Sequence, residues 1–185
     1  MSLKLESVVT LSLLALAMLV TRFHHFGSSV NLPDASLAVF FLLGLLGGWR
    51  WFPVFALLAG AIDYAAIAWG GVSDFCVTPA YFFLLPTYAV MTATAYLVRA
   101  DGALRPRQLP LVALAALVST TLAFVISSGS FYFFSDYFAS LSLAAYIGRT
   151  ANYFLSYLGY ALFYIATGVA VVKLARAARA SFATA

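Results

Sequence analysis

Charged side chains make up only 9% of this 185-residue chain, and it holds two histidines and a single cysteine. One cysteine excludes an intramolecular disulfide, so Cys76 is a small apolar filler, a partner-bound thiol, or a soft ligand or nucleophile. The two histidines, His24 and His25, are adjacent. Neighbouring rings point in different directions, which argues against joint chelation of one metal, and a haem held between facing helices needs histidines that this chain lacks. The basic residues are few and form no stripe, which excludes a nucleic-acid partner. Gly-x-Ser-x-Gly and His-Glu-x-x-His are both missing, as is any glycine-rich phosphate loop, so no hydrolase constellation and no nucleotide site is expected.

What the chain has in abundance is apolar surface. Hydrophobic residues make up 64% of it and the mean hydropathy is +1.00, far above what a soluble domain tolerates. Charge-poor runs over 7–21, 35–49, 51–69, 79–98, 108–128 and 146–172 predict an all-α integral membrane protein with six transmembrane helices in a single domain, 1–185. Continuous runs of this kind disfavour a β-barrel, whose strands alternate. The run 35–49 is short for a span and is expected to lean on its flanks or on neighbouring helices. Ala15-Leu16-Ala17 after Lys4 imitates a leader-peptide cleavage site, but apolar residues follow at once, so the segment is read as a retained first helix.

The basic residues set an orientation. Lys4, Arg50, Arg99, Arg105, Arg107, Lys173, Arg176 and Arg179 fall at one face of the bundle, and Arg22 and Arg149 at the other. The positive-inside rule then puts both termini in the cytoplasm, with the loops after helices one, three and five outside. Trp49-Arg50-Trp51-Phe52-Pro53 reads as a tight inner hairpin with interfacial aromatics. Outer segment 22–34 mixes titratable and apolar residues and 129–138 is loaded with aromatics, which implies burial against headgroups or a ligand. Gly44 with Gly48, and Ala61 with Ala65, have the spacing of close helix contacts.

Asp63 in the third run and Arg149 at the mouth of the sixth are ionisable groups within the bilayer, where they need pairing or water. A salt bridge between them would pin helix three to helix six, and a ligand-contacting role is compatible with it. Arg149, Tyr153, Ser156, Tyr160 and Tyr164 recur at helical spacing, as do Tyr81, Leu85, Tyr88 and Thr92. With Asn152 and Tyr157 beside them, they suggest a polar and aromatic pocket at the outer end. Cys76 sits in Gly70-Gly71-Val72-Ser73-Asp74-Phe75-Cys76-Val77-Thr78-Pro79-Ala80-Tyr81, an outward loop where a thiolate could ligate a transition metal carried by a flat organic cofactor.

Six short helices, cytoplasmic termini, and Cys76 with Asp63 before it, Tyr81 after it and Arg149 on the last helix resemble the S-components of energy-coupling-factor (ECF) vitamin transporters. More narrowly, they are similar to the solitary vitamin B12 transporters of the BtuM group. The resemblance implies a bacterial inner-membrane transporter that binds cobalamin or cobinamide near its outer face. It also implies that Cys76 is an axial cobalt ligand, that Asp63, Tyr81 and Arg149 touch corrin amides or tether the thiol loop, and that Phe131, Tyr132 and Phe134 cover the macrocycle. Since a thiolate competes with cyanide for cobalt, Cys76 would also assist decyanation of cyanocobalamin. The first helix departs from the S-component pattern by lacking an Ala-x-x-x-Ala docking stripe, which argues against dependence on an ATP-driven ECF coupling module. The competing expectations are an S-component for another vitamin or a metal ion, and a membrane-anchoring or assembly subunit whose aromatic loops meet a protein partner.

Overall fold

A computed structural model describes residues 2–23, 32–46, 48–99 and 106–183. Among them the chain forms six α-helices: α1 (Ser2–Arg22), α2 (Ser36–Leu45), α3 (Phe52–Gly70), α4 (Leu84–Val98), α5 (Leu109–Phe134) and α6 (Leu143–Ala183), with short 3-10 turns at Trp49–Trp51, Pro79–Phe83 and Pro106–Gln108. The segments Trp49–Gly70, Pro79–Val98, Pro106–Phe134 and Leu143–Ala175 are long and apolar enough to cross a membrane, while Val8–Arg22 and Ser36–Leu45 are shorter apolar helices. His24, His25 and Arg105 lie outside the described residues.

The short second helix is the centre of the bundle. At about 1.5 Å per residue its ten residues rise roughly 15 Å, half of a bilayer core. Nearly every side chain from Ser36 to Leu45 is buried, as a helix that is hydrophobic all round requires. Its largest interface is with α4, and α6, α1 and α3 close the remaining sides. Close approach to α4 depends on Gly44, where an added Cβ would lie 2.1 Å from the carbonyl oxygen of Thr92. The Thr92 hydroxyl donates to the Phe40 carbonyl across the same contact (3.0 Å). α5 reaches α4 through a face of small residues, with Ala115, Ala116, Ser119, Thr120 and Ala123 buried at helical spacing.

Several sequence expectations change. The second run stops at Leu45, not at 49. Gly48 therefore folds back on Leu43, its N–H donating to that carbonyl (2.8 Å), and takes no part in the close contact made by Gly44. On α3 the buried face is Phe55, Ala59, Ile62, Asp63 and Ala66. Ala61 is exposed and Ala65 half-buried, so that pair is not the packing stripe expected of it. α5 continues to Phe134, which puts Phe131, Tyr132 and Phe134 on the last turns of a helix instead of in a loop. α6 begins at Leu143, so Arg149 lies nearly two turns inside it.

Local signals explain most helix ends. Pro53 and Pro110 occupy first-turn positions of α3 and α5, where a missing N–H costs nothing. Gly71 takes the left-handed conformation after α3 (φ 66°), and the Val72 N–H closes the cap onto the Ala66 carbonyl (3.1 Å). Thr78 caps the turn before α4, its hydroxyl accepting from the Ala80 N–H (3.2 Å).

Candidate functional site

Because consecutive helices run in opposite directions, the ends of α1, α3 and α5 meet the starts of α2, α4 and α6. At that meeting lies a cavity of ≈ 520 Å³. Its floor is polar, formed by Arg22, Asp34, Asp63, Tyr81 and Tyr88; its wall carries Cys76, Phe124, Phe131, Tyr146, Tyr153 and Tyr157. Ser73, Val77 and Tyr153, also on the lining, are exposed, so the cavity communicates with the exterior.

Arg22 organises the floor. It is 3% exposed. Nε donates to Asp63 Oδ1 (2.7 Å) and Nη2 to Asp63 Oδ2 (2.6 Å), a bidentate pair joining α1 to α3. Nη1 donates to Asp34 Oδ2 (3.2 Å), Ser36 Oγ (2.9 Å) and Tyr88 Oη (2.7 Å). Asp34 in turn accepts from the Ser36 N–H (2.9 Å) and hydroxyl (2.6 Å) with Oδ1, capping the start of α2. The Tyr81 hydroxyl donates to Asp63 Oδ2 (2.7 Å), so one carboxylate oxygen serves both α1 and the start of the α4 segment. The Tyr88 ring stacks on Phe40 of α2, centroids 4.2 Å apart.

The opposite wall is aromatic. Phe75, next to Cys76, stacks on Tyr137 (4.4 Å) and meets Phe131 edge-on (5.6 Å). Phe131 also contacts Phe138, which packs on Tyr146. Two hydroxyls fix this cluster to the backbone: Tyr146 to the Ser128 carbonyl and Tyr132 to the Leu141 carbonyl, each at 2.8 Å. Asp136 follows α5 with a left-handed backbone (φ 61°), the turn after which Tyr137 and Phe138 pack back on Phe131.

The site residues expected from sequence therefore divide. Cys76, Asp63, Tyr81 and Phe131 all line the cavity. Tyr132 does not, and acts behind the wall through its bond to Leu141 and its ring contact with Tyr146. Phe134 stacks on Phe83, away from the lining. Arg149 is exposed on α6 and outside the cavity lining, and the ion pair expected between it and Asp63 is replaced by the pair with Arg22. The reason is register: Tyr146, Thr150, Tyr153 and Tyr157 take the inward face of α6, and Arg149 lies about 60° round from Tyr146 at 100° per residue. No family model and no curated protein matches this chain.

Sequence reasoning missed Arg22, Asp34 and Ser36. Arg22 reads as an outward loop charge because it ends the first apolar run, yet the same position lets its long side chain turn into the bundle. An acid twelve residues on, at the start of the next run, was the available signal.

Chemically, the site offers one thiol, two carboxylates held by Arg22, several phenols and a large aromatic area. The Cys76 thiol is half-buried, and burial first, then the Asp63 carboxylate, pushes it above its ordinary range, so the free protein holds it protonated at neutral pH. A group of three or more His, Cys, Asp or Glu able to hold a bare metal ion is not found among the described residues.

Proposed function

We propose that the protein is a bacterial inner-membrane transporter that takes cobalamin or cobinamide into the cavity from outside, with the Cys76 sulfur as an axial ligand to the corrinoid cobalt. The observation that carries this reading is the placement of Cys76 on a largely aromatic wall above a polar floor, with Asp63, Tyr81 and Phe131 in the same lining. A cavity of ≈ 520 Å³ that opens to the exterior would admit one face or edge of a corrin ring and leave the rest of the ligand outside. Phe131, Tyr146 and Tyr157 offer apolar surface to the ring, and phenol hydroxyls offer partners to its amide rim. The charge distribution supports an outward cavity: Asp34, Asp63, Asp74 and Asp136 lie at the cavity end, whereas Arg50, Arg99, Arg107 and Lys173 lie at the other. With that orientation both termini are cytoplasmic, and the architecture is that of a six-helix S-component working without a coupling module, as its first helix suggests.

Binding is a ligand exchange with no change of oxidation state. The thiol gives up its proton, a cobalt–sulfur bond forms, and the nitrogen base or water on that face of the cobalt leaves. Where cyanide is displaced instead, it departs with the thiol proton as hydrogen cyanide, which is the decyanation expected of Cys76.

Full-length protein purified in detergent and mixed with cobinamide or cyanocobalamin tests the reading. The expected result is stoichiometric binding with a shift of the corrin absorption bands, abolished in Cys76→Ala. No binding, or the same spectrum in both proteins, overturns cobalt ligation; a co-purifying protein partner in place of a coloured ligand would point to an assembly subunit.

A further inference from the structure

The loop that carries Cys76, residues 71–78, has little hold on the bundle of its own: Gly71, Ser73, Asp74, Phe75 and Val77 are exposed. Two anchors flank the thiol. On one side the Phe75 ring packs on Phe131, on the last turn of α5, and on Tyr137, in the connection that follows it. On the other, a chain of hydrogen bonds runs to the floor: the Thr78 N–H donates to the Cys76 carbonyl (3.0 Å), the Tyr81 N–H to the Thr78 carbonyl (2.8 Å), and the Tyr81 hydroxyl to Asp63 Oδ2 (2.7 Å).

That chain is only as well placed as the carboxylate at its end. The terminal torsion of an aspartate is broad, so its oxygens need an external partner to fix their plane. Arg22 supplies it with a two-pronged pair onto both oxygens. The guanidinium is itself held by Asp34, Ser36 and Tyr88, from the start of α2 and from α4. A planar fork fixes a carboxylate plane; a lysine ammonium at the same place would keep the charge and lose the fork.

We propose that Arg22 is the positioning residue for the Cys76 thiol, registering the loop against the cavity wall through Asp63 and Tyr81. This deepens the reading of the cavity as a corrinoid site and rests on it for one of two readouts; the other needs no corrinoid.

The test uses full-length protein in detergent and follows alkylation of Cys76 by N-ethylmaleimide across a pH series. Arg22→Lys and Tyr81→Phe should each change the rate by about fivefold, and the double variant should change it no further, since both cut one chain. Multiplying effects in the double variant, or a rate unmoved by either change, would overturn the proposal, because a merely structural arginine has no reason to share its effect with one phenol. Should Arg22→Lys not accumulate as folded protein, Tyr88→Phe, which removes an acceptor from Nη1, is combined with Tyr81→Phe and read in the same way. In the second readout, Arg22→Lys should weaken cobinamide binding about tenfold in the presence of Cys76 and less than twofold in the Cys76→Ala background; equal losses in both overturn it. A wild-type protein that binds no cobinamide refutes the corrinoid reading, and the alkylation cycle still decides the role of Arg22.

Discussion

The two halves of α2 sit in opposite kinds of surroundings. Toward Leu45 the helix is packed against α4 and α6, where Gly44 meets the Thr92 backbone and Leu42 meets Gly168, with Thr92 donating to Phe40 as the polar contact. Toward Ser36 it is built into a network of Arg22, Asp34, Asp63, Tyr81 and Tyr88. In the apolar half, shape decides: side chains of similar volume can substitute for one another except where two backbones touch. In the polar half, partners decide, because a charge left unpaired inside the bundle has neither water nor a counter-ion. The molecule thus has a filled end and a specified end, and the cavity belongs to the specified one.

The comparison is broken most severely by removing a partner at the cavity end. Asp63→Ala leaves Arg22 and Tyr81 without their shared acceptor and should cost about 3–5 kcal/mol, read as a fall in unfolding free energy or melting temperature in detergent. A cost under about 1 kcal/mol would show that water or Asp34 replaces the lost carboxylate and that the polar half is no stricter than the other. At the filled end the matching change is Gly44→Val, which drives a side chain into the Thr92 carbonyl and should cost about 1–3 kcal/mol. Gly129→Ala is its control: nothing lies within 4 Å of the added carbon, so stability should hold or rise by up to about 1 kcal/mol.

The thiol sharpens the contrast by linking the cavity to pH. A ligand that binds the thiolate must displace a proton, and the thiol is pushed above its ordinary range by burial and by Asp63. Cobinamide affinity should therefore rise about tenfold, or 1.4 kcal/mol, per pH unit through neutrality and level off only above the thiol pKa. Titrations between mildly acidic and alkaline pH check the slope, and in Cys76→Ala it should vanish. The smallest effect belongs to the filled end again: Thr92→Val removes the bond to the Phe40 carbonyl and should cost about 1 kcal/mol.

Most of the helices could be read in the sequence, since runs of apolar residues without charge have one physical solution in a bilayer. Their ends were less legible where the solution is tertiary. The turns from Gly129 to Phe134 stay helical because Ser130 is buried on the inward face and the aromatic rings find partners across the cavity mouth, so no loop is needed to place them. Of the cavity, Cys76, Asp63, Tyr81 and Phe131 could be picked out because each is unusual for its place in the chain. Arg22 could not, since an arginine at the end of an apolar run looks the same whether it turns outward to water or inward to two carboxylates.

By itself, then, the sequence determined the helices, their alternation and the end of the bundle at which the acidic residues and the thiol collect, because hydropathy and chain direction are local properties. The tertiary structure alone decided which cation meets Asp63. Arg22 and Arg149 carry the same charge near the same end, and only the rotation of α1 and α6 about their axes turns one into the bundle and leaves the other on its outside. Side-chain direction on a helix is fixed by packing against neighbours distant in the chain, and the identity of the residue does not contain it.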